Sequence, residues 1–247
     1  MSFLSSLWEE VLLRPIYNLL IWLTTWLPGH DLGLAIIILT LLIRVALFFP
    51  TYSSLKQQKG LQQLQPKINA LREKHSEDKQ KQSEEIMKLY KEHGVHPCGG
   101  CLPILIQLPI LYAVFFVLQH GLDPSYTHYL YGVLSGFDLN SIGKTFLIFD
   151  LTTPDKYILP ILTGVTQFIS MKLSQVKQHE KIHDITPKAS AEPKPMKEIE
   201  QATNSMTYML PILVAWFAMS YPAGLALYWI FSTVFGIGQQ LILNHRK

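Results

Sequence analysis

Between Leu32 and Tyr52 the sequence is almost wholly apolar and carries a single charge, Arg44. A run of this length matches the roughly 20 residues that a helix needs to cross a bilayer core. On a straight helix rising about 1.5 Å per residue, Arg44 sits roughly 12 Å from the Tyr52 end and roughly 18 Å from Leu32. Placing a guanidinium there costs from about 3 to more than 10 kcal/mol, because it leaves its hydration shell. Arg44 is therefore expected to face a wet, protein-lined space, with Thr40 on the same face at i−4. The plainer alternative is a side chain that snorkels to the interface and anchors the helix.

The rest of the chain supports a membrane reading. Of 247 residues, 49% are hydrophobic and 16% charged, and several further apolar runs point to an all-α polytopic membrane protein. A net charge of +3 is too small for a general nucleic-acid binder, so no specific nucleic acid is expected as a partner. Two cysteines, Cys98 and Cys101, are too few for a disulfide framework. The first residues lack a basic stretch followed by an apolar core and a small-residue cleavage site. No cleaved signal is expected, and the first span is expected to act as its own insertion signal.

Five spans are expected, at 32–52, 102–120, 157–173, 206–221 and 223–243. Before them, residues 1–31 are expected to form an N-terminal extracytoplasmic segment. Within it, residues 7–28 read as an amphipathic helix in the interface, anchored by Trp22 and Trp26; a short true span over 15–27 is the weaker reading. Residues 53–101 follow the first span as a helical hairpin. Leu61, Leu64, Ile68 and Leu71 form one seam, Ile86, Leu89 and Tyr90 the other, and residues 76–79 the turn. Pro66 is expected to kink or restart the first arm. Residues 121–156 read as an external loop, 174–205 as a flexible linker rich in Lys, Glu and Pro, and 244–247 as a tail. The sequence from Tyr221 to Gly224 predicts a tight turn between the last two spans.

Lysine and arginine near the spans set the orientation. Nine lie in 53–96, six in 172–205 and two in the tail, against Arg14, Lys144 and Lys156 on the other side. Seventeen against three places the hairpin, linker and C-terminus in the cytoplasm and the N-terminus outside. The second to fourth spans are short and carry Pro103, Gln107, Pro109, Pro160, Thr163, Gln167, Ser170 and Pro211. Such residues are tolerated where neighbouring helices or water satisfy the freed groups. Together with Arg44 they are expected to bound a polar cavity and to thin the bilayer locally; the alternative for each glutamine is an ordinary interhelical hydrogen bond.

Chemical motifs are scarce. His93, His96, Cys98 and Cys101 offer four potential zinc ligands, but they run directly into a membrane helix, and the glycines between them read as a turn and helix start. No metal and no cofactor are expected. No nucleophile–base motif, Walker loop or acid pair in the spans is present, so no enzyme activity is expected.

Five stretches in order, 33–44, 64–71, 90–97, 100–110 and 222–229, together resemble the YidC-type membrane protein insertases and their mitochondrial and chloroplast relatives. The resemblance implies five transmembrane helices around a hydrophilic groove, open to the cytoplasm and to lipid and closed outside. It implies that Arg44 is the groove arginine, that Thr40, Gln107, Gln167, Tyr228 and Trp229 line the path of the incoming segment, and that the hairpin receives substrates. It implies nascent membrane proteins and the lipid bilayer as partners, with a Sec translocon and the ribosome as further candidates in a plasma membrane. Unlike Gram-negative members, the chain is expected to have no large extracytoplasmic domain and no extra N-terminal span. The tail beyond Leu243 is expected to be too short for a ribosome-binding extension. The function expected is insertion and folding of nascent membrane proteins. The alternative is a small-solute transporter or channel with Arg44 as an anion site, although no inverted repeat is evident.

Overall fold

The computed structural model describes residues 3–96, 102–185 and 194–245, and these are predominantly helical. Helix α1 (Phe3–Trp8) passes through a π-helical turn, Glu9–Leu13, into α2 (Arg14–Trp26). Pro15 accounts for the wide turn. It has no N–H to donate and its ring crowds the carbonyl four residues back, while the Arg14 N–H reaches the Glu9 carbonyl, five back. Helix α2 is amphipathic, as its pattern predicts, but its apolar face is built into the protein core. Ile16, Tyr17, Leu20, Ile21 and Leu23 are buried, and α2 packs against α3 (Leu32–Ala46) and α6 (Leu102–His120). Its other face exposes Trp22 and Trp26, whose rings lie 5.9 Å apart.

The single straight helix expected over 32–52 is corrected by a break at Leu47. There α3 ends and α4 (Phe48–Lys74) begins, bent by 62°. Pro50 is the physical cause: it cannot donate to the Ala46 carbonyl and its ring clashes with that group. Asp31 starts α3 by accepting from the Leu34 N–H at 2.9 Å, an N-cap contact.

Helix α4 continues through Pro66 to Lys74 and pairs with α5 (Lys79–Glu92), which Asp78 caps through the Lys81 N–H. Gln57 accepts from the His96 N–H near one end, and Gln82 donates to the Arg72 carbonyl near the other, which makes the pair antiparallel. Leu64 and Ile68 are buried along it.

Helices α7 (Ile158–Ile185), α8 (Lys194–Ala218) and α9 (Ala223–His245) complete the bundle, with α7 packed on both α8 and α9, and α9 on α3. The linker expected over 174–205 is corrected over its described part, because α7 and α8 both extend into it. Residues 174–185 contain no glycine or proline and include the helix formers Gln175, Lys177, Gln178, Glu180 and Lys181, so extending a helix already nucleated by apolar packing costs little. Ala223–Leu243 is long and apolar enough to cross a membrane. Leu32–Ala46 with Phe48–Leu61 forms a broken candidate, and three further apolar helices have 10–17 residues.

The segment between α6 and α7 is a strap across one end of the bundle. It contains short 3-10 turns and a two-stranded hairpin, β1 (Thr145–Phe146) with β2 (Phe149–Asp150). Leu32 donates to the Gly143 carbonyl and Gly143 to that of His30, both at 3.0 Å. Ala223 donates to Thr153 at 2.9 Å and Gly224 to Leu151 at 3.0 Å. The starts of α3 and α9 are thus pinned to one strap, and this is called the strap end below. Asp150 accepts from the hydroxyl and N–H of Thr152 at 2.6 and 2.9 Å, which holds its carboxyl below the ordinary carboxylate range. This support is present above the unfolded value, about pH 4, and is lost as pH falls through the lower folded value.

Gly33 fits the strap closely: a Cβ there would collide with the root of the Phe146 side chain. Gly33→Val should therefore lower stability by about 1–3 kcal/mol, and Phe146→Ala in the same chain should recover part of it. Unfolding of the four proteins in detergent checks this, since purely additive losses would mean that the two residues do not meet.

Candidate functional site

At the end of α3 remote from the strap lies a cavity of about 330 Å³. Arg44 occupies the last turn of α3, three residues before the break at Leu47. The break leaves carbonyls of α3 without helical partners, and their partial negative charge favours a cation there. Half-buried Arg44 donates from Nε to the Ser232 hydroxyl at 2.8 Å, and its Nη2 also contacts Ser232. Ser232 and Tyr228 lie one turn apart on α9 and both line the cavity. From α6, Gln107 donates to the Tyr228 hydroxyl at 3.0 Å. From α9, the Trp229 indole donates to the Gln167 amide oxygen of α7 at 3.4 Å. Among the described residues, no carboxylate lies within salt-bridge range of Arg44.

The wall therefore mixes polar and apolar groups. Arg44, Gln107, Gln167, Tyr228, Trp229, Ser232 and Thr233 supply donors and acceptors, with Thr51 from α4. Leu47, Pro50, Ile106, Leu108 and Leu111 complete it. A guanidinium held by one neutral hydroxyl, that of Ser232, has N–H groups left over. Chemically, the site can attract an anion and offer amides and hydroxyls to a polar chain, but it contains no nucleophile–base pair.

Five of the six residues singled out from sequence meet at this cavity: Arg44, Gln107, Gln167, Tyr228 and Trp229. Thr40 does not, which corrects the expectation that it shares the space in front of Arg44. It is 0% exposed and donates to the Ile36 carbonyl at 2.6 Å, the usual satisfaction of a helical threonine. The cavity runs from Arg44 toward Leu47, Pro50 and Thr51, away from Thr40. Sequence reasoning missed Ser232 and Thr233. Each follows a residue it did select, Tyr228 or Trp229, by four positions, and helical spacing was the signal that could have found them.

The histidine and cysteine cluster is only partly described. His93 places Nδ1 3.0 Å from the Leu89 carbonyl and Nε2 3.1 Å from Lys67 Nζ. Cys98 and Cys101 lie outside the described residues.

Comparison with known proteins gives a consistent picture. Residues 22–247 match the family model described as "60Kd inner membrane protein". The chain is 33% identical over 245 residues to a protein of Bacillus anthracis named "Membrane protein insertase YidC 2", covering 97% of this chain and 82% of that one. It is 35% identical over 232 residues to "Membrane protein insertase YidC" of Wolinella succinogenes, covering 94% of this chain and 36% of the relative. The chain thus spans most of one relative and about a third of the other. A solved structure described as "Active YidC insertase crystal structure with the first transmembrane domain resolved" superposes with a TM-score of 0.56 at 24% identity, covering all of this chain and 47% of that one. That likeness shows a shared fold.

Proposed function

From the premise that the chain belongs to the 60Kd inner membrane protein family, and so is a membrane protein, we propose that it inserts nascent membrane proteins into the bilayer and helps them fold. Its relatives bear the name of membrane protein insertases. The observation that carries the reading is Arg44, a cation without a carboxylate partner among the described residues, facing a cavity whose largely apolar wall also carries amides and hydroxyls.

In this reading α3, α6, α7, α8 and α9 span the membrane, and the α4–α5 pair stands in the cytoplasm, where lysine and arginine concentrate. The N-terminus is outside and the C-terminus inside. An incoming polar tail leaves water at the cavity, and Arg44 draws its acidic groups inward, where low dielectric strengthens the attraction. Gln107, Gln167, Tyr228, Trp229 and Ser232 offer hydrogen bonds to a chain whose unpaired polar groups would each cost several kcal/mol in hydrocarbon. Apolar stretches of 10–17 residues are shorter than the bilayer core requires, so the protein thins the membrane beside the cavity and shortens the tail's crossing. Apolar transfer and the membrane potential drive the step. No covalent catalysis, metal or cofactor takes part. The transporter reading is set aside, since no feature of the cavity favours a small solute over a chain.

Purified protein in vesicles, given a labelled single-span client with an acidic N-terminal tail, is expected to protect that tail from external protease. Empty vesicles should not. Solute uptake without tail protection would overturn the proposal.

A further inference from the structure

The polar surface does not end at the cavity. Helices α4 and α9 lie side by side beyond it: Thr51 and Thr233 both line the cavity, and further along Lys59 Nζ donates to the Leu243 carbonyl at 3.4 Å. The cavity at one end and this contact at the other bracket Ser54 on α4 and Gln239 on α9. Ser54 is 2% exposed and Gln239 3%. The Ser54 hydroxyl, both amide atoms of Gln239 and the amide oxygen of Gln240 are buried without a hydrogen-bond partner among the described residues. Buried polar groups are nearly always paired, so such a group calls for a specific explanation.

Helical spacing aligns them with the cavity. Thr51 and Ser54 are three residues apart on α4; Ser232, Gly236 and Gln239 or Gln240 follow at steps of three or four on α9. A methyl group added at Gly236 would meet no atom within 4 Å, so the face between the cavity and Gln239 has open space. A dry seam held together only for packing would gain by replacing an unpaired glutamine with leucine.

We propose that the α4–α9 seam is a second polypeptide-binding site, in which Gln239, Gln240 and Ser54 pair with the main chain of an extended polar segment on its way to Arg44. A glutamine amide offers a donor and an acceptor in the same arrangement as a peptide group, so it binds backbone whatever the side chains. The site serves chains of varied sequence, whereas Arg44 selects acidic ones. This rests on the insertase reading.

The test uses the full chain in vesicles, with a single-span client whose tail lacks acidic residues. Gln239→Leu is expected to slow insertion about three- to tenfold, the factor of one lost hydrogen bond, while raising the thermal midpoint in detergent. A photocrosslinking side chain at Gly236 is expected to capture the client tail, while one at exposed Val234 captures lipid. Insertion at the wild-type rate by Gln239→Leu, or capture of lipid alone at Gly236, overturns this site and leaves the insertase reading standing. Failure of the unaltered protein to insert any client overturns both. Should Gln239→Leu not fold, Ser54→Ala and the crosslinks decide in the same way.

Discussion

Arg44→Glu is expected to reduce insertion of a client with an acidic tail by about a hundredfold, and Arg44→Lys to retain most of the activity. At an effective dielectric of about 20 and a separation of about 6 Å, a cation attracts a carboxylate by roughly 3 kcal/mol. Losing that attraction corresponds to about a hundredfold at 1.4 kcal/mol per factor of ten, before any repulsion is counted. The Nε contact to Ser232 is lost in lysine, but the charge remains. A client with a neutral tail should respond to Arg44→Glu far less. The protease-protection assay with matched acidic and neutral tails measures both, and equal losses for the two tails would remove the electrostatic role. Ser232→Ala is the companion variant, freeing the guanidinium while leaving its charge in place.

Asn18→Leu should destabilise the fold by about 2–4 kcal/mol, because one buried amide joins α2 to the strap. Its Nδ2 donates to the carbonyls of Tyr129 at 2.9 Å and Arg14 at 2.8 Å, and its Oδ1 accepts from the Tyr131 N–H at 2.6 Å. Leucine has nearly the same volume but leaves the Tyr131 N–H and the Tyr129 carbonyl without that partner. Thermal unfolding in detergent and hydrogen exchange at the Tyr131 amide measure the loss. Exchange at Tyr131 should accelerate ahead of the bundle helices. A change below about 0.5 kcal/mol would mean that water replaces the amide at no cost.

Legibility from sequence followed the local strength of each signal. The apolar pattern and the turn at 76–79 put the starts of α3 and α5 near their observed places. There Asp31 and Asp78, not singled out from sequence, accept from backbone N–H groups three residues on. The start of α9 after Pro222 follows from the same kind of punctuation. The β1–β2 hairpin had no such signal, since two-residue strands carry no periodicity. The break at Leu47 was legible in principle: Pro50 forbids the preceding turn, yet the apolar pattern runs through it unchanged. The long α7 and α8 were hidden by charge, which is a poor guide to helicity once an apolar segment has nucleated the helix.

At the site, Arg44, Gln107 and Gln167 stood out because polar groups in apolar runs need partners, whereas Tyr228 and Trp229 came from the family resemblance alone. Ser232 and Thr233 did not stand out, because hydroxyls sit in such helices at little cost by bonding to their own backbone. Thr40 does so, although its i−4 spacing to Arg44 had singled it out. Only the neighbour on another helix tells it apart from Ser232.

The strap's hydrogen bonds to Leu32, Ala223 and Gly224 act as a clasp on one end of α3 and α9. Two rods clipped together at one end part like tweezers, so displacement grows with distance from the clip. For α9, about 35 Å long at 1.5 Å per residue, a swing of about 5° would shift the far tip by roughly 3 Å while the clipped end stays shut. Under the insertase reading proposed above, this single asymmetry would let the fold yield to polypeptide at one face of the membrane while staying closed to ions at the other.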